Sequence, residues 1–207
     1  MKQTDKSSLS IQQILQAGLR CFSQAGYKGT SMKDIAQEAS VSIGRVYHHF
    51  QAKIDIFTAL LEQYWSFLGD PNTELNQLIQ RAQFPDDIAA LARAIRQVVE
   101  ENRDHIMLIY VDVIEFHGEH INRIYRNMAE NFRNAYANRI EELEQQKRLR
   151  PEADPLFAVM FTYRFFFHYF LVETSFGVQD HFGFGTDQVI EKAEDLILHG
   201  LLNRGTK

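Results

Sequence analysis

Residues 30–53, TSMKDIAQEASVSIGRVYHHFQAK, carry the spacing of a helix-turn-helix. That motif is two short helices locked at a fixed angle so that the second can enter a DNA major groove. The lock requires apolar or small side chains at set positions, and they are present. Ile35 and Ala36 face inward from the first helix, Ala39 sits where the helices come closest, Val41 plugs the turn and Val46 anchors the second helix. Ser31 with Asp34 forms a capping box for the first helix, and Ser42 is a natural N-cap for the second. The turn position that favours glycine holds Ser40, a strain of about 1 kcal/mol.

Outward from this stretch, every legible segment reads as helix and no alternating strand pattern is present. Ile11, Leu15, Leu19 and Phe22 recur at helical steps before Gly26. Ile54, Phe57, Leu60, Leu61, Tyr64 and Leu68 mark a helix stopped by Asp70-Pro71. Asn72 to Gln83 is a shorter helix, and Pro85-Asp86-Asp87 opens another that runs to about Asn102. Helix resumes from His105 to Phe116, then from Ile121 to Arg148, from Pro155 to Ser175 and from Asp187 to Leu202. The break between domains falls near residue 70.

Residues 8–68 resemble the DNA-binding domain of the tetracycline-repressor (TetR/AcrR) family. The likeness rests on Ile14-Leu15, Phe22, Gly26, Gly29, Thr30-Ser31, Ile35-Ala36, Val41-Ser42 and above all Tyr47-His48-His49-Phe50 with Lys53. A bare helix-turn-helix is a weak signal, whereas one flanked by an amphipathic helix and Tyr-x-His-Phe-x-x-Lys is specific. The resemblance implies an all-α chain of about nine helices. Residues 8–68 would form a three-helix DNA-binding domain (motif 31–50), and residues 69–207 a ligand-binding and dimerisation domain. It also implies a repressor that binds a palindromic operator as a homodimer and is released by a small molecule. A member acting as an activator, or a helical small-molecule or metal-dependent enzyme, are the alternatives.

Composition fits a cytoplasmic protein. Of 207 residues 45% are hydrophobic, enough for a full core, and the lone Cys21 excludes an internal disulfide framework. The N-terminus MKQTDKSS lacks an apolar leader segment. The net charge of −5 divides unevenly: residues 1–53 hold seven basic and three acidic residues, leaving −9 for the rest. Local phosphate neutralisation matters more for DNA affinity than the total, so the basic head should face the duplex.

Within the reading helix, Ser42, Ile43, Gly44, Arg45, Tyr47 and His48 are the candidate DNA contacts. Arg45 can bond a guanine edge through both guanidinium arms, with a phosphate contact as the alternative. Ile43 suits a thymine methyl, and Gly44 lets the backbone approach the groove. The family motif implies a phosphate contact for Tyr47. Lys53, opening the next helix, suits a phosphate held by charge and amides together. Thr30, Ser31 and Lys33 are further backbone contacts.

The rest of the chain offers a less specific reading. The helix HIMLIYVDVIEF (105–116) is too apolar to be exposed yet carries Tyr110, Asp112 and Glu115, which must be paired or serve a ligand. Arg164 and His168 are their proposed partners. Tyr110, Glu115, Phe161, Phe165 and His168 are therefore candidates for a pocket holding a small hydrophobic effector. The segment FAVMFTYRFFFHYFLVE is apolar on nearly every face and must be covered on both sides. A membrane span is disfavoured because Arg164 and His168 interrupt it. Phe166, Phe170, Ala193, Leu196, Ile197, Gly200 and Leu201 are assigned to the dimer interface, since the last two helices form it in the family this chain resembles. EFHGEH (115–120) has spaced histidines but no cysteine and no evident fourth ligand, so neither metal nor cofactor is expected. The sequence has no phosphate-binding glycine loop and no nucleophile elbow, which argues against an enzyme.

Overall fold

The computed structural model describes residues 3–203, without the side chains of 3–6, 123 and 124. Ten helices occur among the described residues: α1 (Gln3–Ala25), α2 (Met32–Glu38), α3 (Ile43–His49), α4 (Lys53–Leu68), α5 (Glu74–Arg81), α6 (Ile88–Glu101), α7 (Arg103–Glu115), α8 (Asn122–Gln145), α9 (Pro155–Thr174) and α10 (Thr186–Leu201). That is one more than the nine or so that the resemblance implies, and each matches a segment read as helix from its pattern, the short α5 after Pro71 included. Thr73 caps it, its hydroxyl accepting from the Asn76 amide at 3.3 Å. Pro85 and the two acids after it occupy the turn before α6 rather than its first turn. The only β-pairing among the described residues is an isolated antiparallel bridge between Leu149 and Leu202.

Two compact units are formed. Among the described residues, 3–69 and 104–123 make the first, 70–103 and 124–203 the second. The chain passes from the first unit to the second at Asp70, and most of α7 returns to the first. Ile14, Phe22, Ile35, Val46, Ile56 and Phe57 are fully buried in the first core, and Leu108 of α7 joins them. Aromatic packing explains why α7 belongs here: Phe116 stacks on Phe57 at 5.2 Å and meets the Tyr27 ring edge-on at 4.7 Å.

In the second unit α6 packs on α9, with α5 and α10 against α6. Phe132 of α8 meets Tyr163 of α9 edge-on at 5.4 Å. Its core includes Phe84, Ile88, Ile95, Val99, Phe166, Tyr169 and Phe170. By length and composition α9 is apolar enough to cross a membrane, a property that core helices share.

Candidate nucleic-acid interface

Local chemistry fixes both helices of the motif. The Ser31 amide donates to Asp34 Oδ2 at 2.8 Å, and the Asp34 amide donates to Ser31 Oγ at 3.2 Å, so the capping box closes both ways. Hydrogen bonds from Ser31 hold the Asp34 carboxyl below the usual range. Ser40 takes the left-handed conformation, φ 54°, at the turn position that favours glycine. Ser42 caps α3 by accepting from the Arg45 amide at 3.3 Å. Val46 is fully buried beneath.

That anchor turns Ile43, Gly44, Arg45, Tyr47 and His48 outward, all of them exposed. A Cβ added at Gly44 would meet nothing within 4 Å. Arg45 is exposed as a residue, but its guanidinium is drawn back, donating through Nη2 to the buried Ser10 hydroxyl of α1. One guanidinium arm thus braces the helix.

Two expected contacts have other employment. Thr30 is only 3% exposed and its hydroxyl donates to the Gly26 carbonyl at 2.8 Å, so the side chain closes the α1–α2 loop. Lys53 Nζ donates to the Tyr27 and Thr30 carbonyls and lies 4.1 Å over the Tyr27 ring. Two of its three donors are therefore committed to protein, and partial burial lowers its pKa. The correction is physical: spacing places a lysine at a helix start, but only the fold brings carbonyls to it. Lys53→Ala should lower unfolding stability by about 2 kcal/mol, the scale of charge-assisted hydrogen bonds, read from the thermal midpoint. An unchanged midpoint with weakened DNA binding would return Lys53 to a phosphate role.

A family model, "Bacterial regulatory proteins, tetR family", matches residues 14–60. Over these residues the chain is similar to the TetR family. The HTH-type transcriptional regulator AcrR of Shigella flexneri is 37% identical over 114 residues, 52% of this chain and 51% of that protein. The HTH-type transcriptional repressor AcnR of Corynebacterium glutamicum is 36% identical over 59 residues, 28% of this chain and 31% of that one. The chain thus aligns with about half or less of the length of these relatives. Among solved structures, a TetR family transcriptional regulator from Pseudomonas syringae pv. tomato superposes with a TM-score of 0.57 at 23% identity, over 92% of this chain and 96% of that one. A TetR family regulator from Marinobacter aquaeolei gives 0.53 at 20% identity, over 99% and 100%. These two extend the likeness in fold, and in fold alone, to nearly the whole chain.

The TetR-type domain is braced from a point remote in sequence. Glu115, at the end of α7, accepts from the Tyr27 amide at 2.9 Å and the Lys28 amide at 2.8 Å. Gly26 makes this possible: its φ is 75°, and a Cβ there would lie 2.6 Å from Glu115 Oε1. Glu115 is therefore a cap for the α1–α2 loop, not a pocket residue. Asp112, expected with Glu115 to face Arg164 and His168, is likewise paired inside the first unit, to His120 Nδ1 at 2.6 Å. No local spacing announces either partnership.

The remaining pocket and interface assignments need re-sorting. Tyr110 lies in the first unit, Phe161, Phe165 and His168 in the second. Phe161 is 45% exposed and His168 is exposed, so this face of α9 points outward. Phe166 and Phe170, expected at the dimer interface, are buried within their own unit, as are Ile197 and Leu201. Leu196 is 69% exposed, Gly200 is exposed and Ala193 is half-buried. A helix apolar on every side has no amphipathic phase, so sequence alone could not tell which of its faces turned inward.

Proposed function

We propose that the chain is a DNA-binding transcriptional regulator, a repressor that binds a palindromic operator as a homodimer in the cytoplasm and is released by a small hydrophobic effector. The observation that carries the DNA-binding reading is the outward row Ile43, Gly44, Arg45, Tyr47 and His48 on a helix anchored by buried Val46. The basic charge of residues 1–53 supports it; Lys2 and the side chains of Asp5 and Lys6 lie outside the described residues. AcnR is named a repressor, which supports that sign of regulation. Release follows if the effector favours a form whose reading heads no longer match the half-site spacing.

The test is selection of binding sites from random duplexes, followed by titration. A two-fold symmetric consensus bound in the nanomolar range is expected. Recovery of no preferred sequence would overturn the reading. Arg45→Ala should then relax preference at one position in each half-site and weaken the best site by about 1–3 kcal/mol. If affinity instead falls evenly across all sequences, Arg45 contacts phosphate or serves only to brace α3 on Ser10.

The outer face of α9 supports the dimer. Phe157 and Phe161 stand 67% and 45% exposed, their rings stacked at 6.1 Å, and Leu196 of α10 is exposed as well. Large apolar side chains left exposed in this way call for a partner, and a second copy supplies two reading heads at once. Phe161→Arg with Leu196→Arg should yield folded monomers by light scattering, with operator affinity lost. A variant that stays dimeric would place the interface elsewhere.

A further inference from the structure

Arg45 of α3 is exposed, yet its Nη2 donates to the hydroxyl of Ser10, 35 residues earlier on α1. Ser10 is only 2% exposed. It stands one helical step before Ile14 and Ala17, both fully buried, on the inward stripe of α1. That stripe calls for an apolar side chain, and a hydroxyl placed there is costly unless it serves a partner. The partner is the arginine of the reading helix.

The brace is neutral, which matters for a cation that is to meet DNA. Both acids of residues 31–50 are engaged elsewhere: Asp34 in the capping box with Ser31, and Glu38 with Arg20 at 2.6 Å. A carboxylate in the place of Ser10 would offset the guanidinium charge, whereas a hydroxyl orders the side chain and leaves its positive potential for the phosphates and bases. The donor geometry also permits both contacts at once. The planar fork has two bonding edges, one pairing Nη2 with Nε and the other pairing it with Nη1. Ser10 accepts one of the two Nη2 hydrogens and so occupies one edge. The other edge keeps both of its donors, which is what a bidentate guanine contact requires.

We propose that Ser10 is a positioning residue for base readout. It does not touch DNA; it fixes the Arg45 fork before the duplex arrives, so the arginine loses less rotamer freedom on binding and meets the base in one orientation. The inference rests on the reading of Arg45 as a base contact and goes beyond it, because it places part of the sequence preference on α1, outside the helix-turn-helix.

Ser10→Ala in the full-length protein tests it, since alanine removes the acceptor and favours the helix. Binding is titrated by anisotropy against the operator recovered by selection and against duplexes changed at each of its positions. The best site should bind about fivefold more weakly, the scale of one hydrogen bond. The lost discrimination should fall at the position that Arg45→Ala also relaxes. In an Arg45→Ala background, Ser10→Ala should change nothing further, because the two residues act as one unit. An even loss across all positions, or a loss that persists without Arg45, would make Ser10 a packing residue and overturn the proposal. Tighter binding by Ser10→Ala would overturn it too, since Ser10 would then hold the arginine away from the groove. Should Ser10→Ala fail to fold by circular dichroism, Ser10→Cys, close in shape but a weak acceptor, takes its place. Arg45→Ala alone separates the two readings. If it leaves every base preference unchanged, the base-reading role of Arg45 falls and this inference with it; if it relaxes one position while Ser10→Ala has no effect, this inference alone is lost.

Discussion

Gly44→Glu should reduce operator affinity by at least a hundredfold while leaving the fold and its thermal midpoint unchanged. The two effects separate because of where Gly44 stands. A Cβ there meets nothing within 4 Å, the residue is exposed, and glycine in a helix is itself disfavoured by about 1 kcal/mol relative to alanine. The unfolding equilibrium therefore has no reason to suffer. DNA binding does, because a carboxylate on the outward row of α3 opposes the phosphates and fills the space through which the backbone would approach the bases. A hundredfold loss is about 2.7 kcal/mol. Gly44→Ala, small and neutral, should cost much less, and the comparison isolates size and charge from helix propensity. Anisotropy titration against the selected operator reads the effect. If Gly44→Glu binds as well as the wild type, α3 does not enter the groove.

Asp112→Ala should destabilise the protein by about 3–5 kcal/mol, the scale for leaving several buried donors without their acceptor. Asp112 is fully buried. One carboxylate oxygen lies 2.6 Å from His120 Nδ1, and the other accepts the His120 and Ile121 amides at 3.2 and 3.1 Å. Its backbone carbonyl also takes the Phe116 and Gly118 amides, closing α7. Alanine would leave three donors without their acceptor and a void beside the imidazole, which packs edge-on against Phe57 and Phe116. Against a total stability of roughly 5–15 kcal/mol that is a large fraction. Asp112→Asn keeps one acceptor oxygen and should recover part of the loss. Urea unfolding with an unchanged slope gives the number, and a shift below about 1 kcal/mol would show that the network is dispensable.

Much of this protein was legible in the amino-acid order. The capping box Ser31–Asp34, the Ser42 cap, buried Val46 and the left-handed Ser40 follow from chemistry acting within a few residues, where spacing determines geometry. The helices before residue 70 follow likewise from their apolar period, and the outward row on α3 is what remains once the inward positions are assigned. The likeness to the TetR family is carried by that same local segment.

Tertiary structure decided whatever required partners far apart in sequence. Glu115 reaches back 88 residues to the Tyr27 amide, and Lys53 reaches the carbonyls of Tyr27 and Thr30. A carboxylate or ammonium in a sequence announces a charge but not its acceptors or donors, so Glu115 looked available for a ligand and Lys53 for DNA. The faces of α9 posed the same difficulty in another form. With phenylalanines all round, the helix has no phase until packing buries Phe166 and Phe170 and leaves Phe157 and Phe161 outside. Local spacing fixes what a segment becomes; only packing fixes which of its groups remain free.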